Sequence, residues 1–451
     1  MRRPAPVLIA LMLLAGCARA RWTPPSVEVP THWSTPADNK AMAEQTPQAA
    51  WWTNFNDPHL NALIDEALKV NSDLAAAVIR VQRARLEAGL ANTTLTPDIS
   101  AGADLRGSRH LDAHATTRSA DVNGSLRYEL DLWGKRAHQR AAAAWEAHAA
   151  EADRAQTALD LIGTAAELYW KLILLNEQII DSEADLKQTR QILDLVNARY
   201  AAGALSGLDR VQAEQNVSNQ RLALSRLYQQ RVEARHALAV LLNRPPSYAF
   251  EAPERLPATP LPEIEAGIPA QALKRRPDLK AAELRLRKLF ADIEQTRASF
   301  YPSFTLTGSL GSASEMLLRV LQNPVATLGI GLTLPFIQWN TMQLKIKVSK
   351  SQYEEAFAHF RKKLYTALAE VEDALSKRAQ LIEEAARQAQ IVFQAEQAEQ
   401  QTHARFNAGA TDIQRWLEAQ GELRSARAAL KQNRLDQLNN RMELYQALGG
   451  G

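Results

Sequence analysis

Two kinds of apolar spacing alternate along the chain. From Lys135 to Tyr200 there is neither proline nor a turn cluster, and apolar residues recur every seven positions. One stripe runs Ala158, Ala165, Leu172, Ile179, Leu186, Leu193 and Tyr200, and its companion runs Leu161, Leu168, Leu175, Ser182, Thr189 and Val196. A heptad pattern of that length predicts a long helix packed in coiled-coil fashion. A second run, with Leu364, Val371, Arg378, Ala385 and Val392 beside Leu368, Leu375, Ile382 and Ala389, repeats it. The expected helices, about 136–202 and 341–408, would each span about 100 Å. Each ends at a glycine turn, Ala202-Gly203-Ala204 or Ala408-Gly409-Ala410. Shorter helices follow over about 207–243 and 411–447, and others precede over about 72–96 and 277–301. Two short helices end to end nearly match one long one, which predicts a long four-helix bundle with a break partway along. That break would hold the Pro-rich linker Arg244 to Pro269 and both chain ends.

Between the pre-strand helix and the long helix the period changes to two. Ile99, Ala101, Ala103, Leu105 and Gly107 alternate with Ser100, Gly102, Asp104 and Arg106. On the return, Val122, Gly124, Leu126, Tyr128 and Leu130 alternate with Asn123, Ser125, Arg127 and Glu129. The second half offers Phe304, Leu306, Gly308 and Leu310, then Ala326, Leu328, Ile330, Leu332 and Leu334. Strands are expected at about 98–108, 120–131, 303–312 and 325–335, each near the length of a tilted transmembrane strand. A half-buried hairpin of a soluble protein shows the same alternation, but two matched hairpins on an exported chain favour a membrane. Four strands cannot close a barrel, and an open edge in lipid leaves backbone groups unpaired. Several copies must therefore contribute; two is the minimum and three would give twelve strands, a choice the residues leave open. The inward polar face, with Asp104, Arg106, Arg127 and Glu129, suits a water-filled lumen. Trp133 and Trp339 end the return strands, either in an interfacial aromatic belt or packed between barrel and helices.

The same element order occurs twice. Asp73 and Asp278 are 205 residues apart, and Pro97 and Pro302 keep that offset. Trp133 with Trp339, Gly203 with Gly409, Ala213 with Ala419 and Leu242 with Leu448 are 206 apart. A period this long indicates a duplicated domain rather than a solenoid. The expected organisation is a signal peptide over 1–16, an extended anchor segment over 17–54, a first repeat over 55–268 and a second over 269–451.

The N-terminus reads as an export signal. Arg2 and Arg3 precede an apolar stretch from Val7 to Ala15, which ends in Leu14-Ala15-Gly16-Cys17. This resembles a bacterial lipobox, in which the Cys17 thiol takes a diacylglycerol; an ordinary signal peptide with an incidental Cys is the other reading. Cys17 is the only cysteine of 451 residues, which excludes a disulfide scaffold and a thiolate metal cluster. Ala18 follows, where Asp would favour retention at the inner membrane, so the outer membrane is expected. Net charge is +3 over the whole chain, and loss of Arg2 and Arg3 brings it near neutrality, so no basic field points to nucleic acid. No apolar run outside the signal reaches the 18 or so residues of a spanning helix, which excludes a polytopic inner-membrane transporter.

These features together resemble the TolC/OprM family of outer-membrane efflux channels, in its lipoprotein (NodT-type) branch. The resemblance rests on Trp51-Trp52-x-x-Phe55-x-Asp57-Pro58-x-Leu60, Arg275-Arg276-Pro277-Asp278-Leu279-x-Ala281-Ala282-Glu283 and Phe300-Tyr301-Pro302-Ser303-Phe304. It rests also on Tyr128-Glu129-Leu130-Asp131-Leu132-Trp133-Gly134 and Ala447-Leu448-Gly449-Gly450-Gly451. It implies a mainly α fold with a β-barrel part: a homotrimer with a twelve-stranded barrel in outer-membrane lipid and a twelve-helix periplasmic tunnel. It implies as partners a periplasmic adaptor (membrane fusion) protein and an inner-membrane pump of RND, ABC or MFS type. Gly203, Ala204, Gly409 and Ala410 match the adaptor-contact turns. Glu418 matches the place of a gate carboxylate, and Arg415 stands where some members carry a second acid. An Arg415–Glu418 pair with Asp209 from the neighbouring turn is the expected gate network, the alternative being solvated helix charges. One departure is Pro335-Phe336-Ile337-Gln338-Trp339-Asn340, where the family has a glycine; Asn340 tolerates the left-handed conformation, so the turn is expected to survive.

Catalysis has little support. The nine His are scattered, with no His-Glu-x-x-His, phosphate-binding glycine loop or Gly-x-Ser-x-Gly elbow, so neither enzyme nor cofactor is expected. His110 and His114 lie in the turn between the first two strands, where a helix-type chelating pair is not expected. The expected function is a passive exit duct for small molecules such as drugs or other toxic compounds. A duct for type I protein secretion and a non-porous periplasmic coiled-coil lipoprotein are the alternatives.

Overall fold

The computed structural model describes residues 22–24, 26–34, 50–109, 112, 116–264, 266–314, 322 and 324–450. Cys17 and its signal segment, His110 and His114 lie outside the described residues. The first repeat contains α1 (Pro58–Val70), α2 (Ser72–Asn92), β1 (Asp98–Arg109), β2 (Thr116–Leu130), α3 (Lys135–Ala201) and α4 (Gly207–Leu241). The second contains α5 (Pro269–Arg275), α6 (Pro277–Ala298), β3 (Ser303–Ser314), β4 (Pro324–Thr333), α7 (Trp339–Asn407) and α8 (Ile413–Ala447). The chain divides into two units, and neither is a sequence repeat. One comprises Met1–Val27, Ile79–Ala152 and Lys280–Lys362; the other comprises Glu28–Val78, Asp153–Leu279 and Lys363–Gly451.

The first unit holds the four strands as one antiparallel sheet in the order β1-β2-β3-β4. Its register is regular throughout, from Asp98 opposite Arg127 to Ser312 opposite Pro324. The strands meet the helices at one end, where the Trp133 indole donates to the Pro302 carbonyl (2.7 Å) and its ring lies 5.2 Å from Tyr301. Asp131 accepts from the backbone N–H of Arg136 (2.9 Å) and Ala137 (2.8 Å), satisfying the open donors at the start of α3. At the matching point of the second repeat, a short 3-10 turn over Pro335–Ile337 makes the connection. The expected left-handed Asn340 is not found: it lies inside α7, and the described non-glycine residues at positive φ are Asn56 and Asn243. Three successive 3-10 residues turn the chain without a left-handed position, so the missing glycine is not needed there.

The second unit is helical, and its sequence motifs cap helices and fill its core. Asp57 begins α1 by accepting from the His59 and Leu60 amides, and the buried Tyr169 hydroxyl donates to the same carboxylate at 2.9 Å. Burial and the adjacent Asp57 charge push the Tyr169 phenol well above its ordinary value. Trp51 stacks on Tyr445 at 4.6 Å, and Phe55 packs against Trp170 at 5.1 Å. The two repeats share a device that their letters conceal. Asn71 Nδ2 donates to the Leu241 carbonyl (2.9 Å), and Arg276 Nη1 donates to the Ala447 carbonyl (3.2 Å). In each case the residue that opens the pre-strand helix ties down the end of that repeat's last helix.

Candidate functional site: a two-faced sheet and two helix tips

The register decides which residues share a face. Ile99, Leu126, Gly308 and Leu328 form one cross-strand row, and Tyr128, Leu306 and Ile330 form the next. All four apolar runs read from the sequence fall on this one face. Much of it is bare in the single chain, with Ile99 80% and Leu328 92% exposed, while Ala120 and Ser312 towards the hairpin end are buried. The opposite face carries hydroxyls, glycines and charges, including Asp104, Arg106, Ser125, Arg127, Thr307 and Thr327. Ser100 and Ser125 join across the strands at 2.7 Å on that face. Among the described residues, β1 and β4 have no strand on their outer sides. A sheet with an apolar face, a polar face and two open edges has the two-sidedness of a transmembrane barrel strand set. No described helix is long and apolar enough to cross a membrane, so the sheet is the lipid-facing candidate.

The tips belong to the second unit, and both use the same helix ending. Gly203 sits at φ +74 and Gly409 at φ +69. Ala204 N–H reaches back to the Arg199 carbonyl (2.9 Å), and Ala410 N–H to the Arg405 carbonyl (2.8 Å). These bonds close the last turns of α3 and α7 in a Schellman arrangement, which requires a left-handed residue. The next helices are capped by side chains: Ser206 and Asp209 form a capping box at α4, and Asp412 accepts from the Arg415 amide (2.9 Å) at α8. The two hairpins meet through Ile192, Val196, Ala213, Phe406, Ile413 and Trp416. Arg199 lies 4.8 Å over the Phe406 ring, and the Trp416 indole donates to Glu399 (2.8 Å).

The residues proposed from the sequence, Cys17 aside, lie at the turns, at the starts of α4 and α8, and beside the sheet. Gly203, Ala204, Gly409 and Ala410 are exposed at the two turns. Arg415 and Glu418 are exposed on α8, but among the described residues no ion pair joins them. Instead Gln414 donates to Glu418 (2.8 Å) and accepts from Gln212 of α4 (3.0 Å). Arg415 and Glu418 are three residues apart and share a helix face, yet the shorter Gln414 side chain, one full turn back, takes the carboxylate. The Asp209 carboxylate is engaged by its own helix, accepting from the Ser206 amide (2.7 Å) and hydroxyl (2.6 Å). Trp133 is half-buried, while Trp339 is 61% exposed beside the exposed Phe336 and Ile337. Sequence reading missed the Gln212–Gln414 link and the Phe406–Trp416 core. The apolar pair flanking Gly409 was the signal available for the second.

A two-faced four-stranded sheet together with long helical hairpins defines the class, the outer-membrane channel fold. The chain belongs to the outer membrane efflux protein family, whose model matches residues 63–244 and 268–450. It is 33% identical over 457 residues to the pyoverdine export outer membrane protein OpmQ of Pseudomonas aeruginosa, covering 98% of this chain and 96% of that protein. It is 32% identical over 456 residues to OpmQ of Pseudomonas putida, with the same two coverages. A crystal structure of CusC superposes with a TM-score of 0.85 at 25% identity, covering 96% of this chain and 99% of that one.

Proposed function

We propose that three copies of this chain form the exit duct of a tripartite efflux system, through which small organic molecules pass passively to the exterior. The observation that carries the reading is the single register that puts every apolar strand position on one face while leaving both sheet edges open. Three four-stranded sheets, edge to edge, satisfy the open N–H and C=O groups and enclose the polar face as a lumen. Cys17 carries the lipid that holds the mature N-terminus to the outer membrane. Trp133 and Trp339 mark the helix-side interface of the barrel. The turns at Gly203-Ala204 and Gly409-Ala410 receive a periplasmic adaptor, itself bound to an inner-membrane pump. Glu418, Arg415 and Asp209 set the charge around the closed end. Relatives named for pyoverdine export support a small-molecule cargo.

The test is conductance of the purified oligomer in planar bilayers. Discrete channels are expected, with Glu418→Ala raising leak conductance or flattening its pH dependence. No conductance from wild type or from an Arg415→Ala/Glu418→Ala double variant would remove the duct reading. In-cell photo-crosslinking from positions 204 and 410 is expected to capture an adaptor, and self-crosslinks alone would remove the docking assignment.

A further inference from the structure

The apolar face of the sheet has different residues at its two ends. The helix end carries aromatic rings: Tyr128 and Phe304 on the strands, then Trp133, Phe336 and Trp339 just beyond. At the hairpin end the described residues include no aromatic ring. There, beyond Leu105 and Ala120, the next residues of the same face are Gly107 opposite Arg118 and Arg109 opposite Thr116. Arg109 and Arg118 are therefore diagonal neighbours on adjacent strands, about 7–8 Å apart at the backbone. Both are exposed. Every acid of the four strands (Asp98, Asp104, Asp121 and Glu129) falls on the opposite face. Among the described residues neither arginine has an ion-pair partner, Asp112 of the intervening turn included.

Distance puts this pair at a boundary. From Leu130 to Ala120 the apolar face of β2 runs ten residues, about 33 Å along the strand and about 25 Å in height once tilted. That is the height of a bilayer's apolar band, so Arg118 and Arg109 lie just past it. A guanidinium at that depth stands among lipid headgroups, and its planar fork matches phosphate bidentately. In the reading proposed above, on which this inference rests, the hairpin end faces outward. The outer leaflet there is built from a glycolipid that carries phosphates on its sugar headgroup.

We infer that Arg109 and Arg118 form a binding site on the barrel exterior for the headgroup phosphates of lipid A. The two guanidinium groups grip the lipid from the membrane side, with the acyl chains lying along Leu105, Ala103 and Val122 below. The aromatic end anchors the sheet in the inner leaflet and the arginine end in the outer, so the two interfaces hold it by different chemistry.

The full-length oligomer, in nanodiscs of phosphatidylcholine, is titrated with diphosphoryl lipid A and with lipid A stripped of both phosphates. Wild type is expected to bind the phosphorylated form at least tenfold more tightly. Arg109→Gln/Arg118→Gln should abolish that preference, Arg109→Lys/Arg118→Lys should keep part of it, and Arg106→Gln/Arg127→Gln on the polar face should keep all of it. Millimolar inorganic phosphate should not compete, because a free ion lacks the acyl chains; full competition would mean a simple phosphate site and overturn the lipid assignment. A preference unchanged by the Gln pair, or lost equally in the polar-face pair, would also overturn it. Conductance recorded on the same samples separates the two readings. Lipid preference without conductance refutes the duct alone, and conductance without lipid preference refutes this site alone.

Discussion

Arg276 is 7% exposed and holds three partners at once: Asp278 by two bonds, Glu370 at 2.6 Å and the Ala447 carbonyl. Burial alone would raise the Asp278 pKa, but the Arg276 hydrogen bonds and charge, helped by Lys363, outweigh it and hold the carboxyl below its usual range. A depressed carboxylate stabilises the fold above its unfolded value of about 3.9, and that contribution is lost as pH falls through the folded value. Thermal melts from pH 7 down to pH 3 should show wild type losing stability below about pH 4, with Asp278→Asn flatter across that window. Arg276→Met leaves the buried Asp278 carboxylate with only the more distant Lys363 (3.9 Å) and should cost about 3–5 kcal/mol at neutral pH. Glycines separate in the same way. Gly203 is at φ +74 with open space around it, so Gly203→Ala should cost about 1 kcal/mol by backbone strain alone. At Gly449 (φ +92) a Cβ would also stand 2.8 Å from the Arg275 backbone, which no rotamer change relieves. Gly449→Ala should cost about 3 kcal/mol, and urea melts of the two variants should keep that order.

Among the helices, length came from heptads and position came from caps. The predicted and observed ends of α3 and α7 differ by a residue or two, because a glycine at φ > 0 and a side-chain cap mark each turn sharply. Ser206→Ala removes the capping-box acceptor at α4 and should cost about 1 kcal/mol, read as faster hydrogen exchange at the Asp209 amide. Trp416→Ala empties the core joining the two hairpins and should cost about 3–5 kcal/mol. Exchange in α4 and α8 together, rather than α8 alone, would show that this core couples them. Within α3, burial and the Asp181 charge raise Asp185 against the pull of Arg424, Arg427 and Lys431. A polar helix layer of this kind was invisible in the heptads, where Ser182 and Thr189 stood as mere interruptions of an apolar stripe.

In the proposed oligomer, lipid covers the apolar face and neighbouring copies complete the edges. Leu328→Lys puts a charge on the apolar face and should cost about 2–4 kcal/mol of insertion free energy. Thr327→Lys, one residue away on the polar face, should insert nearly as wild type does. Liposome insertion of the two variants tests the assignment of faces, and equal effects would refute it. The two structural units cut across the two sequence repeats, since each unit collects segments from both halves of the chain. Duplication is thus a fact about the chain's history that the packing does not preserve as a boundary.

Periodicity determined the long helices, the two strand pairs, the glycine turns and the repeat, but not the short α1 and α5, because each of the former depends on a pattern of neighbours in sequence. The strand parity alone already separated an apolar from a polar set on every strand. What it left open was how four such strands align, since a slip of one residue would turn any of them over. Hydrogen-bond register across the sheet settled that, and with it the place of Arg109 and Arg118 at the edge of the apolar band. The tips divided likewise. Gly203 and Gly409 were legible as left-handed turns, whereas Gln212 reaches Gln414, 202 residues away along the chain, only through the packing of α4 on α8. Local chemistry is written in the order of residues; a contact between distant segments exists only once the backbone has brought them together.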